Sequence, residues 1–115
     1  MERAHTVRIY LSGKITGQSI TISKAVFWSA EVKLKQQGHE VINPMELDHS
    51  HRGDWISYMI VDIEALIRKA EAIYMIDGWG ESRGARIEYA IAKELGIPIL
   101  FESCNAAISK AEVKP

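Results

Sequence analysis

The chain has little of what a secreted, zinc-structured or membrane-spanning protein needs. Its 115 residues contain one cysteine, Cys104, which excludes an internal disulfide and the paired cysteines of a structural zinc site. No apolar run approaches the ~20 residues of a membrane-spanning helix. The N-terminal Met-Glu-Arg-Ala-His-Thr also lacks the basic start and apolar stretch of a signal peptide. We therefore expect a cytoplasmic protein without a membrane partner.

The sequence also lacks an excess of charge of either sign. It has 14 lysines and arginines against 15 aspartates and glutamates, a formal net charge of -1, which disfavours a general binder of nucleic-acid polymers. The hydrophobic fraction is 47%, and we find no repeat or linker. A chain of this length is enough for one core and too short for two, so residues 1–115 are expected to form a single domain with a small-molecule partner.

Short apolar runs typical of strands alternate along the chain with segments of helical periodicity, and this order predicts an α/β fold. Strands are predicted at residues 7–11, 39–43, 73–76 and 97–101, and helices at residues 23–37, 54–67, 85–95 and 105–113. This alternation requires parallel strands joined by right-handed crossovers. We expect a small doubly wound, flavodoxin- or Rossmann-like sheet in the order 2-1-3-4 with helices on both faces. In such a sheet a ligand binds at the carboxyl ends of strands one and three, where the strand order reverses.

The second predicted helix has the strongest helical periodicity in the sequence. Six of its apolar residues are expected to be core, namely Ile56, Met59, Ile60, Ile63, Leu66 and Ile67. Asp62 lies outside this stripe, and periodicity alone predicts a solvent-exposed carboxylate there. The preceding loop carries His49 and His51, two imidazoles that could share a metal ion. Because no third ligand is evident nearby, the favoured interpretation is a solvated loop without a metal site.

Residues 72–90 predict a strand, a glycine-rich loop and a helix, and they indicate where a site should lie. Gly78 and Gly84 permit sharp turns and close approach of a ligand, and Ser82 is a good N-cap. The N-terminus of the following helix attracts anions. Glu88 follows Gly84 by one helical turn on the same face, which puts a carboxylate beside the predicted crevice.

Three separated segments resemble the nucleoside 2-deoxyribosyltransferase superfamily. They are Arg8 to Gly17, Tyr58 to Leu66, and Gly78 to Glu88. The resemblance covers roughly residues 7–102. It is greatest to a small bacterial and phage family with Tyr-x-Ser-Gly-x-Ile-Thr-Gly near the start, Val-Ile-Asn-Pro in the middle and Gly-Trp-x-x-Ser-x-Gly-Ala-x-x-Glu later. The superfamily includes 2'-deoxynucleoside 5'-monophosphate N-glycosidases, so the resemblance implies N-glycosidic chemistry without a cofactor.

The resemblance also implies roles for individual residues. A glutamate at the position of Glu88 attacks the anomeric carbon of the sugar and forms a glycosyl-enzyme, Asp62 assists the departing base, and Tyr10 orients Glu88. The helix N-terminus and Tyr10 are expected to keep a partly buried Glu88 ionised, while the pKa of Asp62 rises towards neutrality. Ser82 and Gly84 match the Ser-x-Gly that holds the 5'-phosphate in nucleotide-using members. The implied substrate-binding residues are Ser12, Gly13, Lys14, Gly78, Trp79, Ser82, Arg83 and Gly84.

Two positions depart from the pattern of the nucleotide hydrolases, which leaves more than one function open. Arg86 stands where those enzymes have a second glycine, and Thr16 stands where they have an arginine in the first loop. The leading hypothesis is an enzyme that hydrolyses a nucleoside or nucleoside 5'-monophosphate, or transfers its deoxyribose, through a covalent glycosyl-glutamate. One alternative is a catalytically silent nucleotide-binding or sensing module. The other is an interaction protein that uses exposed Trp28, Trp55 and Trp79. Relatives form dimers or larger rings, so a homo-oligomer with a shared active site is expected.

Overall fold

A computed structural model describes residues 6–49 and 53–103 and contains one parallel sheet covered by helices. The strands are β1 (Arg8–Ser12), β2 (Glu40–Ile42), β3 (Ala72–Met75) and β4 (Ile99–Phe101), and the helices are α1 (Ile20–Gln36), α2 (Trp55–Lys69) and α3 (Arg83–Leu95). All three strand pairs are parallel and the order is β2-β1-β3-β4, so the predicted topology is confirmed. The predicted helix at residues 105–113 lies outside the described residues. Within the described ranges, no helix has the length and apolar character that crossing a membrane requires.

The sheet separates two apolar cores, because successive side chains of a strand point to opposite faces. The core on the side of α1 contains Ile9, Leu11, Phe27, Ala30, Leu34, Ala72, Tyr74 and Ile76. The core on the side of α2 and α3 contains Tyr10, Ala65, Leu66, Ile73, Met75, Ala85 and Ala92. Helices therefore cover both faces, as predicted. The side chain of Tyr10 points towards the face that α2 and α3 share.

Side-chain caps start all three helices, and one of them differs from the prediction. The predicted caps Asp54 and Ser82 are confirmed at the starts of α2 and α3. Helix α1, however, begins at a cap on Ser19, whose Oγ accepts a hydrogen bond from the backbone N–H of Ile22 at 3.2 Å, and Ser23 is buried inside the helix. Residues 20–22 are exposed, so the first turn of α1 adds nothing to the buried apolar stripe from which a sequence pattern predicts a helix.

Only part of the predicted core stripe of α2 is buried, which corrects the sequence prediction. Met59 and Leu66 are buried, Ile63 is half-buried, and Ile56, Ile60 and Ile67 are 64%, 60% and 50% exposed. Asp62 and Ala65 take buried positions instead. The apolar arc of α2 is wider than the strip that the sheet and α3 cover. Periodicity gives the width of such an arc and does not say which edge of it packs.

Candidate active site

The carboxyl end of β1 faces the beginning of α3, at the reversal of strand order predicted to bind a ligand. After β3, Gly78 turns the chain with a φ of 92°, in the left-handed region that glycine adopts without a steric penalty. Ser82 then starts α3, because its Oγ accepts a hydrogen bond from the backbone N–H of Ala85 at 3.1 Å. This path directs Glu88, in the second turn of α3, towards Tyr10 and Ser12 of β1.

Two hydroxyl groups of β1 hold the carboxylate of Glu88. The Tyr10 hydroxyl donates to Glu88 Oε2 at 2.9 Å, and the Ser12 hydroxyl donates to Oε1 at 2.7 Å. Tyr10 and Ser12 are two residues apart on a strand and therefore share a face. All three residues are buried, and Glu88 is 4% exposed. The hydrogen bond expected between Tyr10 and Glu88 is present. The sequence predicts that Ser12 contacts the substrate, and it does not predict the hydrogen bond from Ser12 to Glu88.

Asp62 lines the same cavity, contrary to the exposed position that periodicity predicts. It is 7% exposed and lies with Tyr10, Met59 and Glu88 around a space of about 60 Å³. A wider hollow of about 430 Å³ adjoins this inner cavity at the N-terminus of α3. Thr16, Trp55, Ser82 and Gly84 line both spaces. The site thus has a small inner cavity lined by two buried carboxyl groups and a wider outer hollow beside it.

Burial changes the proton affinity of both carboxyl groups. It raises the pKa of Glu88 to about 7, against the hydrogen bond from Ser12, with a further increase from the charge of Asp62. Burial also raises the pKa of Asp62, and the hydrogen bond and charge of His49 oppose this rise. The helix N-terminus and Tyr10 are expected to favour the ionised form of Glu88, but the pKa of Glu88 is raised and not lowered. The carboxyl is almost completely buried, and desolvation outweighs the groups that favour its charge.

His49 is part of the site, which corrects the interpretation of its loop as solvated. Its Nε2 lies 2.8 Å from Oδ1 of Asp62, and its side chain is 14% exposed. The contact spans 13 residues, and no local pattern indicates it. His51 lies outside the described residues. Among residues 6–49 and 53–103, no group of three or more His, Cys, Asp or Glu side chains could hold a metal ion.

Two of the predicted substrate-binding glycines permit close packing around the inner cavity. A Cβ at Gly13 would lie 3.1 Å from the Cβ of Ile76, and a Cβ at Gly84 would lie 3.0 Å from Sδ of Met59. Both distances are shorter than nine in ten contacts of real Cβ atoms, so the neighbouring atom would have to move by a few tenths of an ångström. A side chain at Gly13 would displace a buried β-branched residue, whereas the flexible Met59 could move to accommodate one at Gly84.

The other predicted contacts divide between the outer hollow and a separate aromatic cluster. Arg83 lines the hollow, where its guanidinium lies 4.6 Å from the centre of the Trp55 ring. At the same entrance, Nζ of Lys14 pairs with Glu81 at 3.2 Å. Trp79, in contrast, stacks on Tyr89 with ring centres 4.8 Å apart and also packs against Phe101. Neither Trp79 nor the neighbouring Gly78 is among the residues that line the two spaces.

The fold and the site define a small α/β domain with two buried carboxyl groups at the switch point of a doubly wound sheet. The chain belongs to the family called "Domain of unknown function (DUF4406)", whose profile matches residues 7–101. One similar solved structure is the crystal structure of a conserved protein from Enterococcus faecalis V583, with 20% sequence identity and a TM-score of 0.61. The match covers 84% of this chain and 63% of that one, and it shows the fold alone. No curated protein matches the chain.

Proposed function

We propose that the protein cleaves the N-glycosidic bond of a nucleoside or, preferentially, a nucleoside 5'-monophosphate through a covalent glycosyl-glutamate at Glu88. The observation that carries the proposal is the buried pair of Glu88 and Asp62 around one cavity, with the Tyr10 and Ser12 hydroxyls bound to Glu88. One carboxylate and one carboxylic acid are the groups that such a displacement needs. The resemblance to the nucleoside 2-deoxyribosyltransferase superfamily supports the same chemistry, because residues of all three similar segments line this cavity.

In the proposed reaction, an oxygen of Glu88 forms a bond to the anomeric carbon as the bond from that carbon to the base breaks. The electron pair of the broken bond goes to the base, and the proton of Asp62 neutralises the base as it leaves. Water then hydrolyses the glycosyl-enzyme, or a second base takes the sugar, and two inversions give net retention. The charge of Asp62 is one of the causes that raise the pKa of Glu88. A proton on Asp62 therefore favours the ionised Glu88 that the attack requires.

A silent nucleotide-binding or sensing module is the second candidate, and the size of the inner cavity favours it. Pockets for small molecules commonly measure roughly 300–1,000 Å³. The inner cavity measures about 60 Å³, whereas the outer hollow measures about 430 Å³. A ligand seated only in the outer hollow would bind beside Ser82 and Arg83 without contacting Glu88. Catalysis instead requires the sugar to reach the inner cavity.

Release of free base from a panel of substrates separates the two candidates. The panel contains ribonucleosides, deoxyribonucleosides and their 5'-monophosphates, and chromatography follows base release with and without an acceptor base. Hydrolysis gives free base without an acceptor, and transfer gives a new nucleoside only with one. The Glu88→Ala protein, purified identically, controls for contaminating glycosidases. Nucleotide binding without base release from any substrate would favour the silent module.

A preference for phosphate is expected at the start of α3. The backbone donors and dipole of this helix, with Arg83 beside them, favour a phosphate dianion over a hydroxyl. A 5'-monophosphate should bind about tenfold more tightly than its nucleoside, and Ser82→Ala should narrow that difference. Isothermal titration calorimetry measures both affinities.

The control for Ser82→Ala is Ser19→Ala. Ser19 also caps a helix, at the start of α1, so its replacement matches the loss of a cap without touching the outer hollow. Equal affinities for nucleoside and nucleotide, or an equal loss of both in Ser82→Ala, would contradict a phosphate site at this helix.

The exposed isoleucines of α2 support a homo-oligomer that uses this helix as its contact. Ile56, Ile60 and Ile67 lie on one side of the helix and are at least half exposed. Trp55 and Tyr58 of the same helix line the inner cavity and lie on another side of the helix from these isoleucines. Light scattering at roughly tens of micromolar protein should give the mass of at least two chains.

Ile60→Glu should shift the assembly towards the monomer, because it puts a charge into the apolar contact. Ile22→Glu is the matched control, because Ile22 is 54% exposed on α1, across the sheet from α2. A wild type that is monomeric at this concentration would contradict the oligomer, and equal effects of both variants would contradict the choice of α2.

A further inference from the structure

The loop between β2 and α2 brings His49 into contact with Asp62 of the site. The resemblance to known enzymes does not imply this contact. His49 approaches Asp62 with its Nε2 2.8 Å from Oδ1 of the carboxyl group. The side chains of His49 and Asp62 are 14% and 10% exposed, so the contact is largely shielded from water. A hydrogen bond to an ionisable group is stronger in such surroundings than at an open surface.

Helix α2 holds the same imidazole from a second direction. Tyr58 and Asp62 are four residues apart and lie on the same face of the helix. The ring of His49 stacks on Tyr58, with ring centres 4.5 Å apart and an angle of 18° between the planes. The face of the imidazole therefore rests on Tyr58 while its edge meets Asp62. Two independent contacts determine both the position and the orientation of the ring.

Resting on the proposed glycosidic function, we propose that His49 is the positioning residue for the acid that protonates the leaving base. The Nε2–H group of His49 donates to Oδ1 of Asp62. A protonated carboxyl group has one acceptor oxygen and one hydroxyl, so a donor held at Oδ1 selects Oδ2 to carry the proton. Because His49 fixes the carboxyl group and Asp62 lines the cavity, this selection delivers the proton to the base rather than to the loop.

The contact with His49 serves the reaction both before and after the proton moves. As the bond from the anomeric carbon to the base breaks, its electron pair and the Oδ2 proton go to the base, and Glu88 bonds to the anomeric carbon. Asp62 becomes a carboxylate that still accepts from Nε2–H of His49, so the donor is in place before charge develops. Burial favours the protonated acid by raising the pKa of Asp62, while His49 opposes that rise and so stabilises the product carboxylate.

The test compares variants of His49 on two substrates that differ in their need for a proton. His49→Phe keeps a ring that can stack on Tyr58 and removes both nitrogens, whereas His49→Gln keeps a donor. On the best natural substrate, His49→Phe should lower kcat by roughly 10- to 100-fold with little change in KM. On a 4-nitrophenyl glycoside of the same sugar, whose leaving group departs without protonation, it should cleave at nearly the wild-type rate. His49→Gln should recover part of the loss.

Two further measurements separate this role from general damage to the fold. His39→Phe is the matched control: His39 lies next to β2, accepts a hydrogen bond from the backbone of Val7, and should tolerate the change on both substrates. Nitrogen-15 NMR should show His49 protonated at Nε2, and an unprotonated Nε2 would overturn the proposal without reference to activity.

The outcomes distinguish the positioning role from the function on which it rests. If the wild type cleaves both substrates and His49→Phe either matches it or loses both activities equally, His49 does not position the acid, and the glycosidic function stands. A wild type that releases no base from any substrate would overturn the proposed function, and the role of His49 with it.

Discussion

Glu88→Ala should abolish glycosidic cleavage, with turnover reduced on the order of 10⁴-fold and substrate binding nearly unchanged. The bond between Glu88 and the anomeric carbon exists only in the transition state and the intermediate, so its loss affects the rate more than the affinity. Steady-state kinetics gives the turnover number, and calorimetry with the substrate gives the affinity of the inactive protein. Undiminished cleavage by this variant would rule out the mechanism.

Glu94→Ala is the matched control for this prediction, because Glu94 is an exposed glutamate of the same helix. It should cleave at the wild-type rate. A direct test uses a 2-fluoro analogue of the sugar, which slows hydrolysis of the glycosyl-enzyme. Mass spectrometry after brief exposure should find the sugar attached to the peptide that contains Glu88. Attachment to a peptide with Asp62 would reverse the roles assigned to the two carboxyl groups.

Glu88→Gln should stabilise the fold above neutral pH by roughly 3 kcal/mol relative to the wild type. Burial raises the pKa of Glu88 from 4.5 to about 7, and each pKa unit corresponds to about 1.4 kcal/mol. Between these two pH values the folded protein keeps a proton that the unfolded chain has lost. The free energy of unfolding therefore falls as pH rises through this window and stays low above it. Glutamine has no proton to lose and avoids this decrease.

Denaturant unfolding of both proteins across this pH range measures the effect. The difference in unfolding free energy between Glu88→Gln and the wild type reports Glu88 and its interaction with the charge of Asp62, because groups that do not interact with Glu88 titrate alike in both proteins. That difference should grow from near zero below about pH 4.5 to its full value above about pH 7. Glu94→Gln, on the exposed side of α3, should show no such growth. A difference that does not depend on pH would contradict the raised pKa.

This second prediction depends on burial and not on catalysis. A silent binding module with the same cavity would show the same pH dependence of stability, whereas only an enzyme would lose turnover in Glu88→Ala. The two variants together therefore separate the electrostatic state of Glu88 from its chemical role. A raised pKa without turnover would favour the binding module.

The sequence by itself determined the architecture and the location of the crevice. Alternating apolar segments predicted the parallel sheet and its order, and the capping residues Asp54 and Ser82 predicted where α2 and α3 begin. These signals are local, because strand and helix periods and caps involve residues close together in the chain. Together with the switch-point rule, they were enough to bring Tyr10 and Glu88 to one place.

Tertiary structure alone decided what surrounds those residues. The rotation of α2 about its axis buries Asp62 and exposes Ile56 and Ile60, and periodicity does not contain that rotation. The contact between His49 and Asp62 depends on how a loop folds back onto α2. The raised pKa of Glu88 depends on how completely β1, α2 and α3 exclude water from it. Each of these features arises from residues far apart in the chain, whose distances no local pattern encodes.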